Sequence, residues 1–154
     1  MDHISRSRRS WLMSRVKSRN TGPEVLVRKT AHALGYRFRL HRKGLTGSPD
    51  LTFPRLRSVI FVHGCFWHRH PGCSKASTPK TREAFWSEKF ARNVARDAFV
   101  RAELRRLGWR VCVIWECETK RPAQMVKKVR RFLRKGEALA GTGRRNLLHG
   151  RSGR

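Results

Sequence analysis

Acidic side chains are scarce in this sequence. Ten Asp+Glu stand against 37 Lys+Arg in 154 residues, a formal net charge of +27 at pH 7 and a sequence pI of about 11.8. So basic a chain needs a polyanionic partner, and nucleic acid is the first candidate. The cations are 27 Arg and 10 Lys. Guanidinium forks pair bidentately with phosphate where an ammonium acts as a point charge, although Arg-rich codon usage accounts for part of such a bias. Long apolar runs are missing too. The longest, Val111 to Trp115, falls far short of the roughly 18 residues of a membrane span. The N-terminus lacks the apolar stretch of about 7–15 residues of a secretory signal. A cytoplasmic location is therefore expected, where thiols stay reduced. Cys65, Cys73, Cys112 and Cys117 then point to metal or core roles rather than to a disulfide frame. No repeat of fixed period is present.

What remains is enough to fold. Hydrophobic residues make up 38%, with eight Phe and five Trp, and the length suits one domain. Residues 1–20 read as a basic arm in which Trp11, Leu12, Met13 and Val16 give a short helix an apolar side. A domain over 21–136 and a basic, mobile tail over 137–154 are expected to follow. Thr21 opens a helix carrying Val27, Ala31 and Leu34 and closed by Gly35. Tyr36 to His41 alternates with period two, a half-buried strand. Turn-rich residues Lys43 to Pro49 lead to a short strand from Asp50 to Phe53, ended by Pro54. Val59 to Val62 is continuously apolar, as a central strand would be. A helix is expected from Thr81 to Leu107 with a break near Asn93, then a strand from Trp109 to Trp115. The last helix is expected from Pro122 to Gly136. Alternating helices and strands around a buried strand pair make a mixed α/β fold.

Against this cationic background each carboxylate needs a reason. Asp50, at a strand start beside a central strand, can hold the Mg²⁺ that phosphodiester hydrolysis generally needs, or can belong to a simple Pro-Asp turn. Glu24 completes a Thr21-x-x-Glu24 capping box. Asp97 by default pairs with Arg101 along a helix.

Residues 61–73 read Phe-Val-His-Gly-Cys-Phe-Trp-His-Arg-His-Pro-Gly-Cys. Cys65, His70 and Cys73, with Cys117 after the last strand, offer the four soft and borderline ligands that a closed, structural zinc site uses. Cys112 alternates within a strand and suits the core. His63 and His68 are left over, imidazoles able to move a proton or stabilise charge near pH 7. Phe66 and Trp67 either wedge between bases or cover the metal site.

Together these segments resemble one family. Ser48-Pro-Asp50, the run Val59 to His68, Thr81-Arg-x-x-Phe-Trp86, Asn93-x-x-Arg-Asp97, and Leu107 to Val111 with Trp115-Glu-Cys117 are similar to the very short patch repair (Vsr) endonucleases, in one order from about Arg15 to Lys135. The resemblance implies a restriction-endonuclease-like mixed sheet flanked by helices, with a structural Zn²⁺ on Cys65, His70, Cys73 and Cys117. It implies Mg²⁺-dependent nicking of one strand of duplex DNA, 5′ to the thymine of a T:G mismatch left by deaminated 5-methylcytosine. Asp50 would hold Mg²⁺ with the Val62 backbone carbonyl; His68 would activate water, oriented by Asp97. His63 would be a second catalytic histidine, and Glu24 would reach the water shell of the metal. Phe66, Trp67 and Trp86 would wedge into the mismatch from the major groove and Met13 from the minor groove. The Glu-x-Lys half of the wider nuclease motif is replaced by Phe61-Val-His63, which fits this family rather than an ordinary restriction enzyme. A monomer in the bacterial cytoplasm, associated with the nucleoid, is implied. A mismatch-repair protein and a cytosine-5 DNA methyltransferase would be its functional partners. Two alternatives stay open from sequence: a homing or restriction-type nuclease cutting unmismatched DNA, and a catalytically silent DNA-binding module.

Overall fold

The computed structural model describes residues 4–148, with side chains through 142. Among the described residues lie four α-helices and four strands, in the order α1 (Arg6–Ser14), α2 (Gly22–Ala33), β1 (Arg39–Leu40), β2 (Leu51–Phe53), β3 (Ser58–His63), α3 (Glu83–Arg106), β4 (Arg110–Trp115) and α4 (Pro122–Leu148). The sheet order is β1-β2-β3-β4; the first two pairings are antiparallel and β3 with β4 is parallel. The fold is mixed α/β, as the alternation of elements predicts.

Apolar continuity in β3 has a direct cause: both faces are covered. Ile60, with Cys112 and Ile114 of β4, packs against Val27 and Ala31 of α2 and Met125, Val129 and Leu133 of α4. Val59 and Phe61 face the other way, onto Leu104 of α3 and Trp109. Fully burying one such aliphatic or aromatic side chain contributes about 1.5–3 kcal/mol, so these two layers dominate the fold's stability. Both layers hold β3 up to its C-terminal end, where Val62 and His63 line a cleft.

Several boundaries differ from the sequence expectation. The strand expected over Tyr36–His41 shrinks to Arg39–Leu40, because β2 offers only Thr52 and Leu51 as partners. Tyr36 and Phe38 instead meet Phe53 edge-on, at 6.4 and 5.7 Å between ring centroids. The helix expected from Thr81 begins at Glu83, after Arg82 in a left-handed conformation. It does not break at Asn93, whose side chain points off the helix and donates to the Trp67 carbonyl at 3.0 Å. Gly136 does not end the last helix. A Cβ there would lie 2.7 Å from Arg110 Nη1 and 3.3 Å from Leu56 Cβ, so this glycine serves close packing. The helix continues through 148, across residues expected to form a mobile tail; a glycine costs a helix only about 1 kcal/mol, and alanine and leucine follow it. The rest of that expected tail, 149–154, lies outside the described residues. No helix among the described residues is long and apolar enough to cross a membrane.

Candidate active site

Three elements converge where β3 ends. Asp50 stands just before β2, Glu24 lies in the first turn of α2, and Asp97 lies midway along α3. A cleft of about 370 Å³ opens among them, lined also by His41, Val62, His63 and His68 and rimmed by Arg19, Arg96 and Arg101. The β2–β3 pairing holds Asp50 in place, and Val62 N–H donates to Asp50 Oδ2 at 2.7 Å. Burial pushes the Asp50 carboxyl up to about 6 despite that hydrogen bond, and the charge of Glu24 adds to the rise. Two carboxylates in a shaded cleft repel each other and are poorly hydrated, so the site favours a cation.

Glu24 is 3% exposed although ionisable. Thr21 caps the helix through its hydroxyl, which accepts from Glu24 N–H at 3.3 Å. The returning carboxylate accepts from Asn20 N–H at 2.9 Å, one residue before the N-cap, and from Arg28 Nη2 at 3.2 Å. The Thr21 half of the expected capping box is thus formed, whereas the Glu24 carboxylate reaches back to Asn20 rather than to the N-cap itself while taking its place in the cleft.

His68 Nδ1 and Asp97 Oδ2 are 2.6 Å apart. Asp97 thus pairs with His68, as the family resemblance implies, rather than with its local default Arg101: the turn over residues 65–69 brings His68 against α3. Burial would raise Asp97, but the hydrogen bond and charge of His68 hold it below the usual carboxylate range. In the neutral form of His68, Nδ1–H on Asp97 leaves a lone pair on the other nitrogen, the arrangement by which a carboxylate orients a general base. His63 stacks on His68 with ring centroids 3.9 Å apart and planes 9° from parallel. Burial, then the neighbouring charge of His68, pushes His63 down to about 3. It is a neutral imidazole at pH 7. Its Nδ1 is buried and has no hydrogen-bond partner among the described residues.

The same loop builds a second cluster. Cys65, His70, Cys73 and Cys117 each bring one donor atom within 4.8 Å of the others. His70 Nδ1 lies 3.7 Å from Cys65 Sγ and 3.3 Å from Cys117 Sγ. Sulfur and nitrogen donors on a tetrahedral zinc lie about 3.5 Å apart, so this set fits the ion. Burial pushes the Cys65 thiol up to about 12; a bound cation reverses that logic and favours the thiolate. Trp115 joins the clusters, stacked on His70 at 4.3 Å and edge-on to His63 at 5.4 Å. Cys112 is buried in the core, apart from both.

Beside the cleft, Phe66, Trp67 and Trp86 are half-buried and pack on one another with centroids 5.0–6.1 Å apart. Phe90 closes the base of this group, and Lys89 lies over Trp67 and Trp86. Across a groove, α1 presents Leu12 and Met13 towards Phe66 and Trp86. Met13 is 41% exposed. Three of the four residues expected to wedge DNA, Met13, Phe66 and Trp86, thus border this groove, and Trp67, packed on Phe66 and Trp86, lines the neighbouring cavity.

Arg28 and His41 are functional candidates that the sequence reading missed. Arg28 sits one helical turn beyond Glu24, a spacing that could have flagged it. For His41 the signal was the hairpin: a strand ending at His41 and another opening at Asp50 put the two side by side.

Comparison with known proteins agrees with this geometry. Residues 1–75 match the family model described as DNA mismatch endonuclease Vsr. A type II nicking enzyme of Xanthomonas oryzae pv. oryzae, V.XorIIP, is 49% identical over 132 residues, covering 86% of this chain and 96% of the relative. The DNA mismatch endonuclease Vsr of Escherichia coli is 40% identical over 116 residues, 75% of this chain and 74% of that protein. Another nicking enzyme, V.NmeAIP of Neisseria meningitidis, is 40% identical over 86% of the chain and 94% of its own length. A basic surface, a carboxylate-and-histidine cleft and this kinship lead to one conclusion: the chain belongs to the Vsr endonuclease family and is a DNA-cleaving hydrolase.

Proposed function

We propose that the enzyme nicks one strand of duplex DNA 5′ to the thymine of a T:G mismatch, in a Mg²⁺-dependent hydrolysis. The observation that carries this reading is the juxtaposition of the Asp97–His68 pair and Asp50 with the aromatic group Phe66, Trp67 and Trp86 on one basic surface. In the mechanism, Asp97 holds His68 by its Nδ1, and the opposite nitrogen takes a proton from the attacking water. His63, kept neutral by burial, donates a hydrogen bond to a phosphate oxygen while its stacked ring fixes the plane of His68. Asp50, the Val62 backbone carbonyl and Glu24 would hold Mg²⁺, a hard ion suited to oxygen donors. When bound, that ion supplies neutralisation of the charge developing on phosphate. Arg19, Arg96 and Arg101 at the rim would hold the DNA backbone.

Mismatch preference follows from stacking energetics. A T:G wobble is held less firmly than its neighbours, so the few kcal/mol of unstacking falls there, and rings inserted from one groove with Met13 from the other exploit the difference. Such T:G pairs arise when 5-methylcytosine deaminates, which fits an activity downstream of a cytosine-5 DNA methyltransferase. A restriction-endonuclease-like core with Zn²⁺ on Cys65, His70, Cys73 and Cys117 would keep the loop of residues 63–73 in shape for both tasks.

The test uses matched duplexes carrying one central T:G or T:A pair, with Mg²⁺. Nicking confined to T:G is expected. Equal cutting of both would favour the nuclease of unmismatched DNA. Asp50→Ala should lower nicking at least about 10³-fold with DNA affinity within about threefold of wild type, because the basic surface that binds phosphates is untouched.

A further inference from the structure

His41 follows β1 directly, and its N–H reaches the Asp50 carbonyl at 3.3 Å. Its φ is +44°, in the left-handed region that non-glycine residues uncommonly occupy. That backbone turn carries the ring between the two carboxylates. Nε2 lies 3.7 Å from Glu24 Oε2 and Nδ1 lies 3.9 Å from Asp50 Oδ1. Neither separation is a hydrogen bond, so hydrogen bonding to the acids does not explain the ring's position. One donor atom each from Glu24, His41 and Asp50 lies within 4.8 Å of the other two. Donors about 2.1 Å from a common ion lie roughly 3.0–4.2 Å apart according to the angle between them, a range that takes in the 3.7 Å from Nε2 to Glu24; one ring nitrogen binds one ion, so the 3.9 Å from Nδ1 to Asp50 serves only to place the ring beside the second carboxylate.

We propose that His41 is a third protein ligand, with Asp50 and Glu24, for the divalent ion of the cleft, and that it biases the site towards Mn²⁺ and later transition ions over Mg²⁺. The inference rests on the reading of Asp50 as a metal ligand. Its chemistry is that of the donor set. Carboxylate oxygens suit Mg²⁺, whereas an imidazole nitrogen adds affinity along the Irving–Williams order and little for Mg²⁺. Arg28 is the competing neighbour. Its Nη2 donates to the ring at 3.1 Å, to Glu24 at 3.2 Å and to Asn20 Oδ1 at 2.6 Å. Ligation at Nε2 turns the guanidinium from the ring onto Asn20 and Glu24, both of which it already contacts.

The test is spectroscopic and needs no DNA. Full-length, zinc-loaded protein is titrated with Mn²⁺, and pulsed electron paramagnetic resonance looks for a directly bound ¹⁴N. His41→Asn is the variant of choice, since asparagine tolerates the left-handed conformation; His41→Gln serves if its zinc content or melting shows misfolding. Wild type should show the nitrogen and the variant should lose it. Affinity for Mn²⁺ should fall about tenfold, and for Mg²⁺, measured by competition, less than about threefold. A nitrogen signal that survives in the variant would assign it to His63 or His68 and overturn the proposal, as would equal losses for both ions. Asp50→Asn separates the layers. If it leaves Mn²⁺ binding intact, the reading of Asp50 fails; if it abolishes binding while the His41 variant matches wild type, only the role of His41 fails.

Discussion

The stretch of residues 63–73 contributes to two clusters, one of three cysteines and a histidine and the other of histidines and acids, and they differ in what is left unsatisfied. Cys65, His70 and Cys73 turn inward to meet Cys117, and their four donors close on a single centre. His63, edge-on to Trp115, and His68, stacked on His63, line the cleft instead. There His63 keeps a buried nitrogen without a partner among the described residues, and His68 presents one free lone pair beside Asp50 and Asp97. A site whose valences are filled by protein can only hold shape; a site with open valences and displaced acidities can bind and transform. Histidine stands in both clusters, so its presence alone does not divide structure from chemistry here; its companions and the saturation of the site do.

That contrast can be broken at its most sensitive point by Asp97→Asn. The variant keeps the shape of the pair but no longer stabilises a protonated His68, and single-turnover nicking should fall about 10²–10⁴-fold, with zinc content and DNA binding unchanged. A loss below tenfold would show that His68 works without Asp97. The closed cluster answers to a different measurement. Cys117→Ser should purify without stoichiometric zinc and lose at least about 3 kcal/mol of stability in urea unfolding, because metal binding and folding are linked. Wild type free of zinc would sink this half of the comparison.

The third prediction is smaller and opposite in sign. Burial raises Asp50 from 3.8 to about 6 in the folded protein. Between those values the folded state holds a proton that the unfolded chain has released, so stability falls as pH rises through the window and stays lowered above it. Asp50→Asn removes this cost. In chelator at pH 7.5 the variant should be more stable than wild type, by about 3 kcal/mol at most, and below pH 3.5 the gain should vanish. Thermal melts at the two pH values decide it. The closed cluster would then add stability and the open one subtract it.

Much of this was legible in the chain. The helix opening at Thr21, the buried strand Val59–Val62 and the fourth strand follow from local pattern, and Cys65, His70, Cys73 and Cys117, singled out by residue type, lie together in the structure. Boundaries were less legible where packing overruled propensity. Gly136 looks like a helix stop until Leu56 and Arg110 are seen pressed against it. Asp97 and Arg101 stand at ion-pair spacing along one helix, yet a loop some thirty positions earlier supplies the stronger partner, His68. His41 carried no motif of its own; only the register of β1 on β2 sets it beside Asp50.

By itself the sequence determined the partner class, through a charge of +27, and the chemical vocabulary, through a few acids, histidines and cysteines kept in a set order. Tertiary structure alone decided that His63 is buried and stacked on His68, and that His41 and Arg28 enter the cleft. The division has a physical reason. Charge and ligand type are properties of the residue, whereas burial, stacking and donor separation depend on what a distant segment brings alongside.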